Sequence, residues 1–229
     1  MYLTLDIGNT RTKFAHFSQG GALQESGLSE NLPDTSGFAA LCVANVGDKI
    51  DDFSSVKCPV LSISYKVKFP FSIAYQTPET LGADRLAGVA GAAFLFPGKD
   101  LLLVDAGTCL KFELLINNVY LGGSISPGLS MRYKALAAHT RRLPEMKHRD
   151  CDILIGDSTE TAILSGVQQG FIQEVSGRIT TFQMENPGLL VVLTGGDTPF
   201  LAERLKTKIF AEPLLVHYGL YHTLRLNGY

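Results

Sequence analysis

Two short segments of the chain carry an aspartate, a glycine and a threonine in the same order. The first reads D-I-G-N-T from Asp6, and the second reads D-A-G-T from Asp105. Each follows an apolar run typical of a strand and leads into a second strand-like stretch that contains Lys-Phe, residues 12–17 and residues 110–116. A carboxylate binds cations, and a glycine lets backbone N–H groups point at an anion. The repeated pattern therefore predicts two hairpin tips that face each other across a cleft and hold one nucleotide.

The side chains of the first loop suit a phosphate group and its metal ion. Asp6 could hold Mg²⁺ directly or through water, and the Thr10 hydroxyl could donate to a phosphate oxygen. An Asp-Gly hairpin turn without a ligand explains a single loop about as well. The second copy, in the same context, favours the nucleotide-binding interpretation.

A third motif, G-A-D-R from Gly82, opens a helix rich in alanine. As a first-turn acid, Asp84 could simply offset the helix dipole. In an active site, Asp84 could accept a proton from a substrate hydroxyl, and Arg85 could grip a carboxylate or phosphate with two hydrogen bonds. The motif alone does not decide between these alternatives.

Two glycine-rich segments in the second half fit either a structural or a functional role. Residues 122–128, G-G-S-I-S-P-G, predict a tight turn from a strand into a helix that has Pro127 at its first position. Residues 194–197, T-G-G-D, follow a buried strand, and consecutive glycines permit the close approach of a flat ring such as adenine. A plain strand-to-helix turn explains this second segment equally well, with Thr198 capping the next helix.

The composition excludes several classes of function. The chain has 229 residues, of which 45% are hydrophobic and 18% charged, and its net charge is −2. These are the values of a folded globular protein without the basic excess that nucleic-acid binding requires. The longest apolar run, residues 87–96, is too short to span a bilayer, and no leader-like segment precedes the first strand. We therefore expect a cytoplasmic protein with no nucleic-acid or membrane partner.

The cysteines and histidines predict neither a metal site nor a disulfide. The four cysteines are scattered without C-x-x-C spacing, so four reduced thiols are expected. Cys109 is better explained as a small strand residue than as a nucleophile, because no histidine partner is near in sequence. The histidines lack ligand spacing, and His217 and His222 are expected to be exposed or to cap the last helix.

Apolar runs and glycine or proline breaks predict the remaining elements. Helical periodicity predicts helices over 83–96, 158–183 and 214–226, with Asp157 and Glu160 forming a capping box for the second. Pro97-Gly98 is the clearest boundary, and it divides the chain into residues 1–98 and residues 99–229. Antiparallel hairpins followed by a helix are typical of a ribonuclease-H-like fold. The early strands are predicted at 2–7, 12–18, 22–28, 41–46 and 59–64.

The order of the motifs resembles that of type III pantothenate kinases, a family in the superfamily of sugar kinases, Hsp70 and actin. The resemblance covers essentially the whole chain, and G-A-D-R with the two acidic loops separates this family from its relatives. It implies an α/β fold of duplicated ribonuclease-H-like (actin-like ATPase) domains with an ATP cleft between them. The motifs are D-x-G-N-T at Asp6, Tyr75 with Pro78, G-A-D-R at Gly82, D-x-G-T at Asp105, G-G-x-I-x-P-G at Gly122, Gly156 with Ser158-Thr159, and T-G-G at Thr194.

The resemblance also implies an activity and a role for each motif. The γ-phosphate of ATP would pass to the primary hydroxyl of pantothenate, the first step of coenzyme A synthesis, in a homodimer that uses Mg²⁺ with ATP. Asp84 would be the proton acceptor, and Asp105 would hold the monovalent cation, K⁺ or NH₄⁺, that the family requires. The implied ATP contacts are Asp6, Ile7, Gly8, Asn9, Thr10, Arg11, Thr12, Lys13 and Thr108. The implied pantothenate contacts are Tyr75, Gly82, Ala83, Asp84, Arg85 and Thr159.

The second loop departs from the family pattern, which continues with small residues and threonine and ends in aspartate. Here the continuation is C-L-K-F-E, so Lys111 could contact a phosphate or point to solvent, and Lys13 raises the same question. Two rival interpretations remain: an exopolyphosphatase-like phosphatase that uses water as acceptor, and a regulatory relative that has lost catalysis. The motif around Asp84 argues against the first, and three intact acidic motifs argue against the second.

Overall fold

The computed structural model of the protein describes residues 1–47 and 52–229. Eleven strands and five α-helices are present in this part of the chain, together with one 3₁₀ turn at Pro78–Thr80. The helices are α1 (Ala83–Leu95), α2 (Leu129–Ala138), α3 (Thr159–Glu185), α4 (Thr198–Ala202) and α5 (Leu215–Leu226). The strands are β1 (Tyr2–Ile7), β2 (Thr12–Phe17), β3 (Leu23–Ser29), β4 (Ala40–Asn45), β5 (Val60–Ser62), β6 (Ser72–Ile73), β7 (Leu101–Ala106), β8 (Cys109–Ile116), β9 (Val119–Pro127), β10 (Leu190–Thr194) and β11 (Phe210–Ala211).

The strands form two mixed sheets. The first has the order β3-β2-β1-β4-β5, and the second has the order β11-β10-β7-β8-β9-β6. In the first sheet, β1 pairs antiparallel with β2 and parallel with β4, so the chain returns from β2 and β3 to the other side of β1. This arrangement is the predicted α/β fold, and the five strands predicted in the first part of the chain are confirmed.

The chain divides into two compact units that are not continuous in sequence. Unit 1 contains residues 1–101, 113–122 and 214–229, and unit 2 contains residues 102–112 and 123–213. The predicted halves, residues 1–98 and 99–229, are continuous instead. Their boundary lies close to the end of the first run of unit 1, and the division into two duplicated halves stays a prediction.

The core of unit 1 explains why β1 is apolar and why α1 is rich in small residues. Alternate apolar residues of β1 and β4, among them Leu5 and Val43, form one buried cluster. Helix α1 is rich in alanine and glycine because it lies backbone to backbone against α5. A Cβ atom added at Gly91 would stand 2.1 Å from the Leu215 carbonyl oxygen, and one at Gly219 would stand 1.8 Å from that of Ala87. Only glycine permits this approach.

Three predictions of helix starts were wrong by one or a few residues. Pro127 is the last residue of β9 rather than the first of α2, because the strand continues through the glycine-rich segment. The capping box of α3 uses Ser158 and Thr161, whose side chains each bond the backbone of the other. Helix α4 has Asp197, not Thr198, at its N-cap position.

The prediction for the last helix was right in position but wrong for one side chain. Helix α5 begins at Leu215, within a residue of the predicted start. His217 is buried, at 2% exposure, instead of exposed or capping. All four cysteines are free thiols, as predicted. Within the described residues, no helix combines the length and apolarity needed to cross a membrane.

Candidate active site

The first acidic loop, called loop 1 here, is the turn of the β1–β2 hairpin, residues 8–11. The backbone N–H of Gly8 donates to the carbonyl of Arg11 at 3.1 Å, which closes the turn. Asp6 is half-buried at the end of β1, directly opposite Lys13 in the strand register. The tip itself, residues 9–11, is exposed, so an anion can approach it.

A glycine that the sequence analysis missed supports loop 1 from behind. Gly47 follows β4, which runs parallel to β1, and a Cβ atom there would stand 2.7 Å from the Gly8 carbonyl oxygen. The Asn45 side chain accepts the Gly47 N–H at 3.1 Å and fixes this approach. A strand followed by N-x-G was the available signal, but only the parallel pairing of β1 with β4 makes it part of the loop.

The strand that carries Asp6 is anchored by a buried histidine. Nδ1 of His217 on α5 lies 2.8 Å from the Thr4 hydroxyl oxygen, and that oxygen also lies 3.2 Å from the Ala15 carbonyl of β2. Burial, together with the charge of Lys13, lowers the pKa of His217 to about 3. The imidazole is therefore neutral at physiological pH and acts as a hydrogen-bonding core residue.

The predicted proton acceptor lies at the start of α1. Asp84 is the second residue of the helix, is half-buried, and accepts the backbone N–H of Arg85 through Oδ1 at 2.9 Å. A Cβ atom at Gly82 would stand 2.6 Å from this oxygen. The glycine therefore gives the carboxylate room to fold back over the helix start, which explains why G-A-D-R begins with glycine.

The Arg85 side chain is held in a buried fork by Glu113 of β8. Its Nε and Nη2 donate to the two carboxylate oxygens at 2.6 and 2.8 Å, and the side chains are only 8% and 1% exposed. Burial acts to lower the pKa of Arg85, but the hydrogen bonds and charge of Glu113 outweigh it and raise the pKa above its usual value. Glu113 occupies the Nε–Nη2 side of the guanidinium, so the predicted grip on a substrate would have to use the Nη1–Nη2 side, and it stays a prediction.

Two tyrosines complete this cluster of unit 1. The Tyr120 hydroxyl donates to Glu113 Oε2 at 2.6 Å, and burial, aided by the Glu113 charge, raises the pKa of Tyr120. The Tyr75 ring stacks parallel to that of Tyr120, with centroids 6.4 Å apart, and the Arg85 guanidinium lies 5.5 Å from the Tyr75 centroid. A Cβ atom at Gly122 would stand 2.9 Å from the Tyr75 ring. Tyr75 and G-A-D-R are thus brought together, as the acceptor-site prediction requires.

The second acidic loop, called loop 2 here, comprises residues 106–108: Ala106 is the last residue of β7, and residues 107 and 108 form the tip that joins β7 to β8. Asp105 is at the end of β7 and forms an ion pair with Lys111 of β8, with Nζ 2.7 Å from Oδ2. The two side chains are 18% and 13% exposed. The Lys111 side chain therefore does not point to solvent, which was one of the two alternatives left open by the sequence.

Both glycine-rich segments of the second half contact loop 2 inside unit 2. A Cβ atom at Gly128 would stand 2.1 Å from the Gly107 carbonyl oxygen, and the Gly128 N–H donates to the Thr108 carbonyl at 3.2 Å. Gly195 has a φ of +96°, and a Cβ atom there would stand 2.4 Å from the carbonyl oxygen of Ala106. The two segments therefore brace the loop rather than serving only as connections.

Thr159, the remaining predicted pantothenate contact, is the first residue of α3 and is exposed. It belongs to unit 2, as do Asp105 and Thr108, whereas residues 6–13, Tyr75 and residues 82–85 belong to unit 1. Each unit thus gathers its own share of the predicted site residues. Glu113, Tyr120, Gly47, Asn45 and Lys111 are additions that only the fold reveals.

The charged groups differ in how well they fit a metal ion. Within the described residues, no three histidine, cysteine, aspartate or glutamate side chains form a metal-binding group. Mg²⁺ commonly binds through one or two carboxylates plus substrate phosphates, and the half-buried Asp6 beside an exposed turn fits that mode. Asp105 fits a monovalent cation less well, because an ammonium group already contacts its Oδ2.

Comparison with known sequences places the chain among kinases. The sequence profile of the type III pantothenate kinase family matches residues 40–181. The chain is 41% identical over 225 residues to a type III pantothenate kinase from Flavobacterium johnsoniae, covering 93% of this chain and 92% of that protein. It is 40% identical to one from Bacteroides fragilis, with 100% and 99% of the two chains covered.

Solved structures show the same fold at low identity. A Campylobacter jejuni protein of the Baf family has a TM-score of 0.63 and 22% identity over 98% of both chains. The activator of 2-hydroxyisocaproyl-CoA dehydratase from Clostridium difficile, solved with bound ADPNP, has a TM-score of 0.55 and 15% identity over 98% and 94% of the chains. These neighbours confirm the predicted α/β fold. The family profile and the sequence relatives show that the chain belongs to the type III pantothenate kinase family.

Proposed function

We propose that this protein transfers the γ-phosphoryl group of ATP to the primary hydroxyl of pantothenate, with Asp84 as the proton acceptor. Family membership supports the reaction. The grouping of Asp84, Arg85 and Tyr75 in one cluster of unit 1 is the observation that supports the acceptor site. Tyr75 offers an aromatic wall, and the half-buried Asp84 carboxylate offers a base within the same cluster.

Arg85 acts in this proposal as a positive charge that Glu113 holds in a fixed position. Glu113 takes the Nε–H and one Nη2–H, so the second Nη2–H and both Nη1–H groups remain for the carboxylate of pantothenate or for a phosphate oxygen. Because the guanidinium is anchored in advance, little side-chain entropy is lost when substrate binds. The cluster thus orients the acceptor, which is what phosphoryl transfer chiefly requires.

ATP contacts are proposed for residues 6–13, which are loop 1 and the strand ends on either side of it, and for Thr108 of loop 2. Backbone N–H groups of an exposed glycine-containing turn suit phosphate oxygens, and hydroxyls such as that of Thr10 add donors. Mg²⁺ bound with ATP would neutralise phosphate charge, and Asp6 is the residue proposed to hold it. The chain itself then needs no covalent nucleophile: it aligns the hydroxyl, accepts its proton and binds the phosphates.

Assembly and location belong to the same proposal. A homodimer is supported by the apolar side chains of Leu154 and Ile155, which are 70% and 84% exposed just before α3. Light scattering after gel filtration measures the mass, and a monomer would contradict the dimer. A cytoplasmic location accompanies the use of ATP as donor. The monovalent cation implied at Asp105 is considered below.

The test is an ADP-release assay on the purified protein with pantothenate, glycerol or water as acceptor. We expect release that depends on pantothenate, whereas release in water alone would indicate a phosphatase. Asp84→Asn should lower kcat about 100-fold or more, because general-base catalysis contributes at least that factor. The matched control is Glu79→Gln, an exposed acid in the preceding turn. Asp84→Asn turnover at the wild-type rate would remove Asp84 from this role.

A further inference from the structure

The ion pair between Lys111 and Asp105 differs from an ordinary surface pair. Lys111 Nζ is 2.7 Å from the carboxylate, and both side chains are less than one-fifth exposed. The pair of Lys57 with Asp34 is 3.9 Å long, and its side chains are 69% and 72% exposed. A surface pair of that kind is largely screened by water, whereas a shielded pair is not. The Lys111 ammonium is therefore a persistent positive charge at loop 2.

The surroundings of Asp105 leave this ammonium in a defined position. Lys111 lies on β8, the strand that leaves loop 2, so its backbone is fixed by the sheet. On the other side of the carboxylate, added Cβ atoms at Gly107 and Gly195 would stand 3.5 and 2.7 Å from Oδ1. One carboxylate oxygen thus faces the ammonium and the other faces two glycines. The carboxylate has its counter-charge within the chain.

An alkylammonium group has the chemistry of a tethered ammonium ion. It carries the same charge and donates up to three hydrogen bonds, but it accepts none. A tethered group is present at a high local concentration whatever the salt content of the solution. We propose that Lys111 supplies the positive charge at loop 2 in place of a monovalent cation, so that phosphoryl transfer by this chain does not require added K⁺ or NH₄⁺. This inference rests on the proposed kinase function.

The first arm of the test compares activity in different salts. Wild-type protein is assayed for pantothenate-dependent ADP release in choline chloride, then with KCl, NH₄Cl or NaCl at the same ionic strength. We expect rates that agree within about twofold, since the tethered charge is always present. Activation by K⁺ of about tenfold or more would overturn the inference while leaving the kinase function intact. Absence of pantothenate-dependent turnover in every salt would instead overturn the proposed function.

The second arm removes the tethered charge. Lys111→Met should lower kcat/KM about 100-fold in choline chloride, as expected when a preorganised charge is lost from such a site. Added K⁺ or NH₄⁺ should restore about tenfold or more of this loss, because the vacated carboxylate then attracts a free cation. The control is Lys206→Met, which alters an exposed lysine of the same unit and should respond to no salt. A Lys111→Met enzyme with wild-type rates in choline would overturn the inference.

The third arm uses thermal melting and does not depend on turnover. K⁺ in place of choline should raise the Tm of Lys111→Met but not that of wild type, because an ion that binds only the folded state stabilises it. The double variant Lys111→Met with Asp105→Asn should lose this response, since no carboxylate remains to attract the ion. A wild-type Tm that rises with K⁺ as much as that of Lys111→Met would overturn the inference.

Discussion

Loop 1 and loop 2 share a sequence pattern but are supported in different ways. With one gap at the tip, Asp6 aligns with Asp105 and Lys13 aligns with Lys111. Loop 1 is a four-residue turn with an exposed tip, backed by Gly47. Loop 2 has a two-residue tip braced on two sides by Gly128 and Gly195. Residues at matching positions of the two loops are therefore packed against different neighbours.

The comparison also separates two uses of glycine. Neither Gly8 nor Gly107, the glycines of the repeated motif, has a positive φ, and Cβ atoms there would meet no atom closer than 3.2 and 3.5 Å. At Gly128 and Gly195, contributed by other segments, an added Cβ atom would overlap backbone. At the motif glycines an added Cβ atom would not overlap backbone: at Gly107 it would make an ordinary contact, and at Gly8 it would make a tight one with the Arg11 carbonyl oxygen. The bracing glycines are required by the fold.

The largest expected effect concerns the strands that leave the two loops. Two residues after the shared lysine, β2 has Ala15 and β8 has Glu113. Glu113→Ala makes the second copy like the first, and we expect it to lower the free energy of unfolding by about 4 kcal/mol, because Arg85 is left buried without its counter-charge. Urea denaturation measures the change, with exposed Glu79→Ala as control. A loss below about 1 kcal/mol, the size of a surface substitution, would contradict the buried pair.

The next effect tests the bracing of loop 2. Gly128→Ala and Gly195→Ala should each lower the free energy of unfolding by about 3 kcal/mol, because the new methyl group overlaps a carbonyl oxygen of loop 2 and the loop must shift. Urea denaturation and ADP release measure stability and activity together. Gly196→Ala is the control, since a Cβ atom there would contact nothing within 4 Å. Equal stabilities for all three variants would show that loop 2 is not braced.

Acidification should loosen the strand that carries loop 1. The pKa of His217 is about 3 in the folded state and about 6.5 in the unfolded chain. Below pH 6.5 the unfolded chain therefore binds more protons than the folded one, and the free energy of unfolding decreases as the pH is lowered. We expect a loss of about 2 kcal/mol between pH 7 and pH 5. Burial lowers the pKa of His222 to about 4, so it contributes in the same pH range.

His217→Gln should remove the first contribution, and His222→Gln serves as its comparison. Hydrogen exchange adds the contrast between the loops: amides of β1 and β2 should lose protection at pH 5 in wild type but not in His217→Gln. An unchanged pH dependence in His217→Gln would contradict the neutral buried imidazole.

The smallest effect on stability concerns the motif glycines. Gly107→Ala should change the free energy of unfolding by less than about 1 kcal/mol and Gly8→Ala by about 1 kcal/mol, since φ is ordinary at both and only Gly8 has a tight backbone neighbour. They should nevertheless raise the KM for ATP about tenfold, because a Cβ atom obstructs the approach of phosphate to backbone N–H groups. Kinetics with varied ATP measures this. A stability loss as large as that of Gly195→Ala would erase the distinction between the two kinds of glycine.

The sequence predicted what depends on local pattern. Apolar runs located β1 and β7, and the spacing of apolar residues located α3 and α5, because burial of one face leaves a periodic record. The end of β9 was missed because Gly122 and Gly123 suggest a turn, whereas the strand continues past them to Pro127.

Contacts between residues far apart in the sequence could not be predicted from local pattern. Arg85 and Glu113 are 28 positions apart, and nothing in either local sequence indicates that they pair. The same is true of Thr4 and His217, which are 213 positions apart. Family resemblance supplied the order of the motifs, but Lys111 departs from that pattern, so its partner had to come from the structure.

Unit 1 is built from both ends of the chain, and this affects how the protein folds during synthesis. Residues 214–229 belong to this unit, and α5 fits against α1 without room for a side chain at Gly91 or Gly219. A ribosome completes every residue of unit 2 before it delivers α5. The apolar surface of α1 must therefore wait for the last-made helix, and a chain interrupted anywhere in unit 2 leaves that surface uncovered for chaperones or proteases to recognise.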